Sequence, residues 1–300
     1  MIRLGRDDCR NVRFPNCLVI GPQRAGTTWI HRYLASRGDV GLPQGVKETF
    51  FFDRYYHRGI SWYAQHFPKA EHFRTVVEVA PTYFHDPLAP KRVRRDLGDI
   101  ALICTLRDPV ERMYSLYLHM RRYGMTRLPL RAAVAKHPEL LCSSRYATNL
   151  ARWFSIFGQD KMLVLYLDTL RDNPHQYVRN ICNRLQIPFV KPDCSLQGKI
   201  NGSALPRSPT LARAADLAAQ RFRSLGLYGV IELAKRFHLK DAFFGKPDGS
   251  RLPSLGSADR LWLKEHLQNE IESTEHLLGV DLRHWKSCVP DRERAAETNV

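Results

Sequence analysis

The chain is short of the features that would set it apart from ordinary globular proteins. None of its seven cysteines forms a C-x-x-C pair, and their odd number and scatter exclude both a disulfide framework and a structural zinc site. No stretch approaches the ~20 apolar residues that a spanning helix requires, so no transmembrane segment is expected. The opening residues Met1-Ile2-Arg3-Leu4-Gly5-Arg6-Asp7-Asp8 carry no apolar leader, and with the unpaired cysteines they lead to the expectation of a reduced, cytoplasmic location. Internal repeats and low-complexity tracts are lacking too. Acidic residues are the minority among charges, 30 against 46 Lys and Arg, which leaves a net charge of +16 over 300 residues.

What is present is a globular composition, 44% hydrophobic and 25% charged, which excludes disorder and fibrous repeats. The basic excess favours an anionic partner: nucleic acid, a membrane surface, a polyanionic glycan or a multiply phosphorylated ligand. A generally basic surface would give the same number. No nucleic-acid motif accompanies the charge, so no nucleic-acid partner is expected.

Short apolar runs alternate with helical patterns, which predicts an α/β fold with a central parallel sheet flanked by helices. Strands are expected at 17–20, 75–79, 100–106 and 161–166, and helices at about 88–97, 110–122, 146–157 and 174–186. Beyond residue 205 the β-type runs stop, and helices at about 208–220, 226–237 and 257–279 make the C-terminal part helical. No linker divides the chain. The expected organisation is an extension over 1–15, one P-loop-like domain over 16–290 and a flexible tail over 291–300.

The first strand runs into Gly21-Pro22-Gln23-Arg24-Ala25-Gly26-Thr27-Thr28 and then a helix beginning near Trp29. Strand, glycine-bounded turn and helix N-terminus together make an anion site, because backbone N–H groups converge where the helix dipole is positive. The glycine spacing is that of G-x-x-x-x-G-K-[ST], yet Gly26 is followed by Thr27-Thr28, and the cation is Arg24. The lysine that reaches the β- and γ-phosphates is missing, and no strand ends in an obvious magnesium-binding carboxylate. A second motif, Arg107-Asp108-Pro109-Val110-Glu111-Arg112-Met113-Tyr114-Ser115, places Arg107 at the carboxyl end of a strand and Ser115 two turns along the next helix. Ligands of open α/β sheets bind at that edge, so Arg107 and Ser115 are candidates for a second phosphate, unless Arg107 merely pairs with Asp108 or Glu111.

With these motifs the sequence resembles the sulfotransferases that use 3′-phosphoadenosine 5′-phosphosulfate (PAPS), in particular the heparan sulfate and related bacterial branch. The 21–29 segment is similar to the family's 5′-phosphosulfate loop and 107–115 to its 3′-phosphate motif. Lys47-Glu48-Thr49-Phe50-Phe51-Phe52-Asp53 resembles the segment carrying the catalytic carboxylate. Tyr56-His57-Arg58-Gly59-Ile60-Ser61-Trp62-Tyr63 and Glu78-Val79-Ala80-Pro81-Thr82-Tyr83-Phe84 are similar as well. The resemblance spans about 16–190, and Leu282-Arg283-His284-Trp285 still looks familial. It implies that Arg24, Ala25, Gly26, Thr27, Thr28 and Trp29 bind the 5′-phosphosulfate, that Arg107 and Ser115 bind the 3′-phosphate, and that Glu48 is the general base. PAPS would be the donor, released as adenosine 3′,5′-bisphosphate, and no metal would be required. Arg207, in Asn201-Gly202-Ser203-Ala204-Leu205-Pro206-Arg207-Ser208, is a loose counterpart of the loop that closes over the donor. Val79 stands where the 3-O branch has a substrate-site lysine.

Such a site would catalyse in-line displacement at sulfur, with Glu48 accepting the acceptor's proton and Arg24 stabilising charge on the departing oxygen. The aromatics after Glu48 suggest a packed, partly desolvated setting, although Glu48 as a surface partner of Lys47 is the plainer alternative. Tyr146, Arg152 and Trp153 are candidates for stacking on adenine or for core; His57 and His85 are alternative bases. Lys91-Arg92-Val93-Arg94-Arg95 and Arg121-Arg122 read as solvated faces that would also steer an anion. The expected acceptor is a hydroxyl or amine on a glycan, lipid or metabolite, with a carbohydrate favoured. A P-loop kinase or NTPase and a basic nucleic-acid module are the competing readings.

Overall fold

The computed structural model describes residues 12–67, 72–193 and 254–286, with a few single positions between 196 and 222. Its sheet has five strands: β1 (Cys17–Val19), β2 (Val40–Gly41), β3 (Thr75–Val79), β4 (Ala101–Leu106) and β5 (Met162–Tyr166), in the order β2-β3-β1-β4-β5. Every neighbouring pair is parallel. Alternate residues serve opposite faces, as a pleat of period two requires. Leu18, Val76, Leu102, Cys104 and Leu106 enter one apolar core, and Cys17, Val19, Val77, Val79, Ile103 and Leu165 enter the other.

Helices cover both faces. α1 (Thr27–Ala35), α8 (Leu167–Asp172) and α9 (Pro174–Leu185) pack on one side through Ile30, Tyr33, Leu170, Tyr177 and Ile181. The other side is covered by α3 (Ala89–Leu97), α4 (Pro109–Arg122), α5 (Leu130–Lys136), α6 (Pro138–Cys142), α7 (Tyr146–Phe157), the long α10 (Ser257–Leu278) and α11 (Arg283–Lys286). A short α2 (Ile60–Ala64) follows a π-type turn over Phe51–Tyr55 and a 3-10 turn over Tyr56–Arg58.

The strand order decides where a ligand can sit. The chain leaves β1 toward the β3 side, and after β3 it returns to the opposite side of β1 as β4. The crevice beyond the carboxyl ends of β1 and β4 is therefore the point where the winding reverses, and that is where α/β sheets take their ligands. Both motifs singled out in the sequence open there.

The expected parallel α/β class holds, with differences in detail. β1 stops at Val19, although Ile20 N still donates to Ile103 O at 2.9 Å. β2 was not anticipated, because two residues give no periodicity to read. α1 starts at Thr27, two residues before Trp29, because Gly26 in a left-handed conformation (φ 96°) turns the chain straight into the helix. Residues 12–14, assigned to the extension, meet the body of the protein: Phe14 stacks on Tyr63 with ring centroids 5.9 Å apart. The helix expected at 257–279 is α10, whereas those at 226–237 and most of 208–220 lie outside the described residues, as does the tail at 291–300.

Candidate active site

The turn after β1 is held by backbone. A Cβ on Gly21 would sit 2.4 Å from Thr105 N and 2.7 Å from Thr105 O, so only glycine lets the loop lie against β4. Thr105 Oγ1 donates to Ala25 O at 3.0 Å and itself accepts from Tyr177 OH at 2.8 Å. Arg24 adopts a left-handed φ of 71°, uncommon for a residue with a side chain, which sends its guanidinium across the loop. Among the described residues no side chain caps α1 at Gly26, so the leading N–H groups of Thr27 and Thr28 at the crevice have no side-chain acceptor there. α4 contrasts with it: the Asp108 side chain accepts from Val110 N at 2.8 Å and Glu111 N at 3.1 Å.

The two motifs meet. Arg24 Nε donates to Ser115 Oγ at 3.0 Å, and Arg107 Nη1 donates to Arg24 O at 3.4 Å. Arg107 also faces Glu111 at 3.6 Å, a carboxylate it shares with Arg260 of α10 at 2.7 Å. Tyr146 OH fixes Arg107 from below by donating to its carbonyl at 2.8 Å. Arg112, fully buried, donates to Gln23 O at 3.3 Å, to Leu140 O at 2.9 Å and to Ser144 Oγ. Arg24, Arg107 and Arg112 thus crowd one loop. Burial first, then the charge of Arg107, holds the Arg24 guanidinium below its usual pKa. Burial is also the main cause that pushes Arg112 down to about 10, with Arg107 and Arg24 acting the same way.

Glu48 stands at the start of the strap leading into the π-type turn. Lys47 Nζ donates to its Oε1 at 2.8 Å, and its side chain is only 13% exposed. Oε2 is buried and has no hydrogen-bond partner among the described residues. The pairing with Lys47 weighed in the sequence therefore exists, and it leaves the second oxygen of Glu48, though buried, without a hydrogen-bond partner among the described residues, open in that sense alone. Behind the strap, Phe51 stacks on Tyr63 at 4.7 Å and Phe52 meets Tyr83 edge-on at 5.5 Å. Asp53, farther along, is pushed up to about 6 by burial.

Other candidates fall elsewhere. Trp29 packs on Tyr33 and donates its indole N–H to Leu196 O at 2.7 Å, so its side chain is committed to the core. Trp153 is buried and donates to Phe84 O at 3.2 Å. Arg152 donates to Asn149 at 3.1 Å, and Tyr146 is a support of Arg107. His85 is pushed down to about 4, chiefly by burial, and His57 is exposed. Arg207 lies outside the described residues. Arg92 and Arg95 both lie over the Tyr56 ring, at 4.5 and 4.9 Å, so that helix face is part of the strap's surroundings. The sequence assigned no role to Arg112 or Glu78: the side-chain partners of Arg112 lie in other segments, and of those of Glu78 only Tyr83 stands in its own motif.

A parallel sheet with a phosphate-type loop at its switch point, arginine in place of the P-loop lysine, and a second arginine–serine motif at the same crevice gather the cationic and N–H groups that suit a multiply anionic ligand. The chain belongs to the sulfotransferase domain family, whose profile matches residues 14–199. It is 30% identical over 281 residues to the mouse bifunctional heparan sulfate N-deacetylase/N-sulfotransferase 2, covering 86% of this chain and 32% of that protein. The human counterpart is 28% identical over 298 residues, covering 91% and 31%. The chain thus spans about a third of the length of these relatives. A sulfotransferase from Alicyclobacillus acidocaldarius shares the fold, with a TM-score of 0.65 at 21% identity, over 92% of this chain and all of that one.

Residues 14–199 carry a sulfotransferase domain, as the motifs implied. The expected cytoplasmic location is overturned: the chain's relatives are named for heparan sulfate, and they point away from the cytoplasm. Nothing follows from where the chain begins. Among the described residues, no helix is long and apolar enough to cross a membrane.

Proposed function

We propose that this chain transfers a sulfuryl group from PAPS to an amine or hydroxyl of a carbohydrate. The observation that supports it most is the meeting of Arg24, Ser115 and Arg107 at the crevice, where crowded guanidinium groups sit beside uncapped helix N–H groups. Such a site is relieved by a ligand with anionic groups at two places, and PAPS has them. Arg24, Ala25, Gly26, Thr27, Thr28 and the Trp29 backbone would take the 5′-phosphosulfate; Arg107 and Ser115 would take the 3′-phosphate.

In the reaction the acceptor's lone pair forms a bond to sulfur while the bond from sulfur to the 5′-phosphate oxygen breaks. That oxygen keeps the electron pair and leaves as adenosine 3′,5′-bisphosphate. Glu48 takes the acceptor proton on its open oxygen, a role worth ~10²–10⁴-fold. Arg24 and the loop N–H groups stabilise the charge that grows on the leaving oxygen. No step requires a metal ion. The relatives are named N-sulfotransferases, which favours a glucosamine-type amine as acceptor. The catalytic domain is proposed to extend over 16–290.

The test is transfer of labelled sulfate from PAPS, in EDTA, to an N-deacetylated heparan-type polysaccharide and to its fully N-acetylated form. Transfer to the amine-bearing chain alone is expected, with Glu48→Gln losing ~10²–10⁴-fold in kcat and keeping bisphosphate affinity. Binding of Mg·ATP without binding of the bisphosphate would overturn the reading in favour of a kinase.

A further inference from the structure

Glu78 on β3 is wholly buried, a rare state for a carboxylate without a cation. Its four hydrogen bonds point mainly in one direction. Thr49 N and Thr49 Oγ1 donate to Oε1 at 3.1 and 2.6 Å, and Tyr83 OH donates to the same oxygen at 3.1 Å. Tyr63 OH donates to Oε2 at 2.8 Å. Thr49 is the residue after Glu48.

The next residue, Phe50, has a φ of 53°, a left-handed conformation that bulky side chains avoid. It persists because the chain is clamped on either side of it. Before it stands the Thr49–Glu78 pair. After it, Phe51 N faces Tyr83 OH at 2.9 Å and Thr49 Oγ1 at 3.2 Å, and Arg54 N and Tyr55 N both donate to Phe50 O at 3.0 Å. One strand carboxylate, two tyrosine hydroxyls and one threonine thus fix the backbone that carries Glu48.

We propose that Glu78 is a positioning residue for catalysis: through Thr49 it sets where the open oxygen of Glu48 lies relative to the sulfur donor. The inference rests on the reading of Glu48 as general base. The hydrogen bonds of Glu78 go to Thr49, Tyr63 and Tyr83, so it acts on Glu48 through the backbone, and the hydroxyls of Tyr63 and Tyr83 rotate to suit either of its protonation states. What the cage needs is an oxygen that accepts from Thr49 N. A glutamine supplies that oxygen and donates its amide N–H to the Tyr63 hydroxyl, which then acts as acceptor. Misplacing a reacting group by about 1 Å costs ~10²-fold, so losing the cage falls on turnover and spares donor binding.

The test compares wild type, Glu78→Ala, Glu78→Gln, Thr49→Val and Glu48→Gln, with PAPS and the N-deacetylated polysaccharide as probes. Adenosine 3′,5′-bisphosphate affinity serves as the check on the folded donor site. Expected are a ~10²-fold fall in kcat for Glu78→Ala, about 10-fold for Thr49→Val, unchanged donor KM and bisphosphate affinity, and recovery to within ~3-fold of wild type in Glu78→Gln. If Glu78→Ala does not fold, Thr49→Val and Glu78→Gln still decide the matter. Full kcat in Thr49→Val or Glu78→Ala, or a Glu78→Gln as impaired as the alanine variant, overturns the positioning role. An active Glu48→Gln overturns the base itself, which is a different result.

Discussion

Arg24 Nε and Ser115 Oγ lie 3.0 Å apart, although 91 residues separate them in the chain. This hydrogen bond joins the loop after β1 to the helix after β4, so the two motifs are physically linked, as the proposed donor site requires.

Removing a member of that site is expected to weaken bisphosphate binding in graded fashion. Hydrogen bonds to charged groups contribute ~1.5–3 kcal/mol, so Arg24→Ala and Arg107→Ala should each reduce affinity by about 10- to 150-fold. Ser115→Ala, which removes a neutral hydroxyl, should reduce it by about 10-fold or less. Calorimetric titration with adenosine 3′,5′-bisphosphate in EDTA measures all three, and the wild-type value should not change when Mg²⁺ replaces EDTA.

Gly21→Ala is expected to destabilise the protein. The new methyl would press on the Thr105 backbone at 2.4 and 2.7 Å, and backbone in a central strand cannot move aside cheaply. Overpacking of this kind typically costs ~1–3 kcal/mol, and urea unfolding would show it as a lower midpoint with an unchanged slope.

Arg112→Met tests a buried cation that sequence reasoning did not notice. The substitution removes the guanidinium that donates to Gln23 O, Leu140 O and Ser144 Oγ, leaving Leu140 O only the longer bond from Ser144; unmet buried acceptors cost ~1–3 kcal/mol each. A loss of about 2–4 kcal/mol is expected by denaturant unfolding. Weaker bisphosphate binding should accompany it, because Gln23 belongs to the loop.

Glu78 gives stability a pH dependence. Burial outweighs its donors and pushes it up from an ordinary 4.5 to about 7, so the fold prefers the protonated carboxyl. Its contribution is fully present below about pH 4.5 and is lost as pH rises through about 7. Wild type should therefore lose stability relative to Glu78→Gln across that window, by on the order of 3 kcal/mol at most. Denaturant unfolding of both proteins at intervals from pH 4.5 to 8 measures the difference.

The parts legible in the sequence were those whose partners lie close along the chain. Strand, turn and helix follow one another within 17–35, and Arg107 through Ser115 span a strand end and two helical turns, so spacing alone placed them at one sheet edge. The Glu48 segment showed itself by its motif and its aromatic run. What stayed hidden depends on contacts between distant residues. Arg112 is buried against Gln23, 89 positions earlier, and Tyr177 reaches Thr105 across 72 positions. Glu78 stood in a segment that resembled the family's, with no role attached to it. Its meaning came from Tyr63, Tyr83 and Thr49, which only the folded chain brings around it.

The close approach of Gly21 to Thr105 bears on selectivity for the donor. Because the loop touches β4 through backbone, strand spacing fixes how far the Gly26–Thr28 N–H groups stand from the main chain at the end of β4, where Arg107 begins. The backbone half of the crevice is in effect a gauge of fixed span, and the Arg107 side chain is the part that adjusts. On the proposed reading, a nucleotide with anionic groups at both ends fills it, whereas one lacking the 3′-phosphate leaves the Arg107 end unmatched.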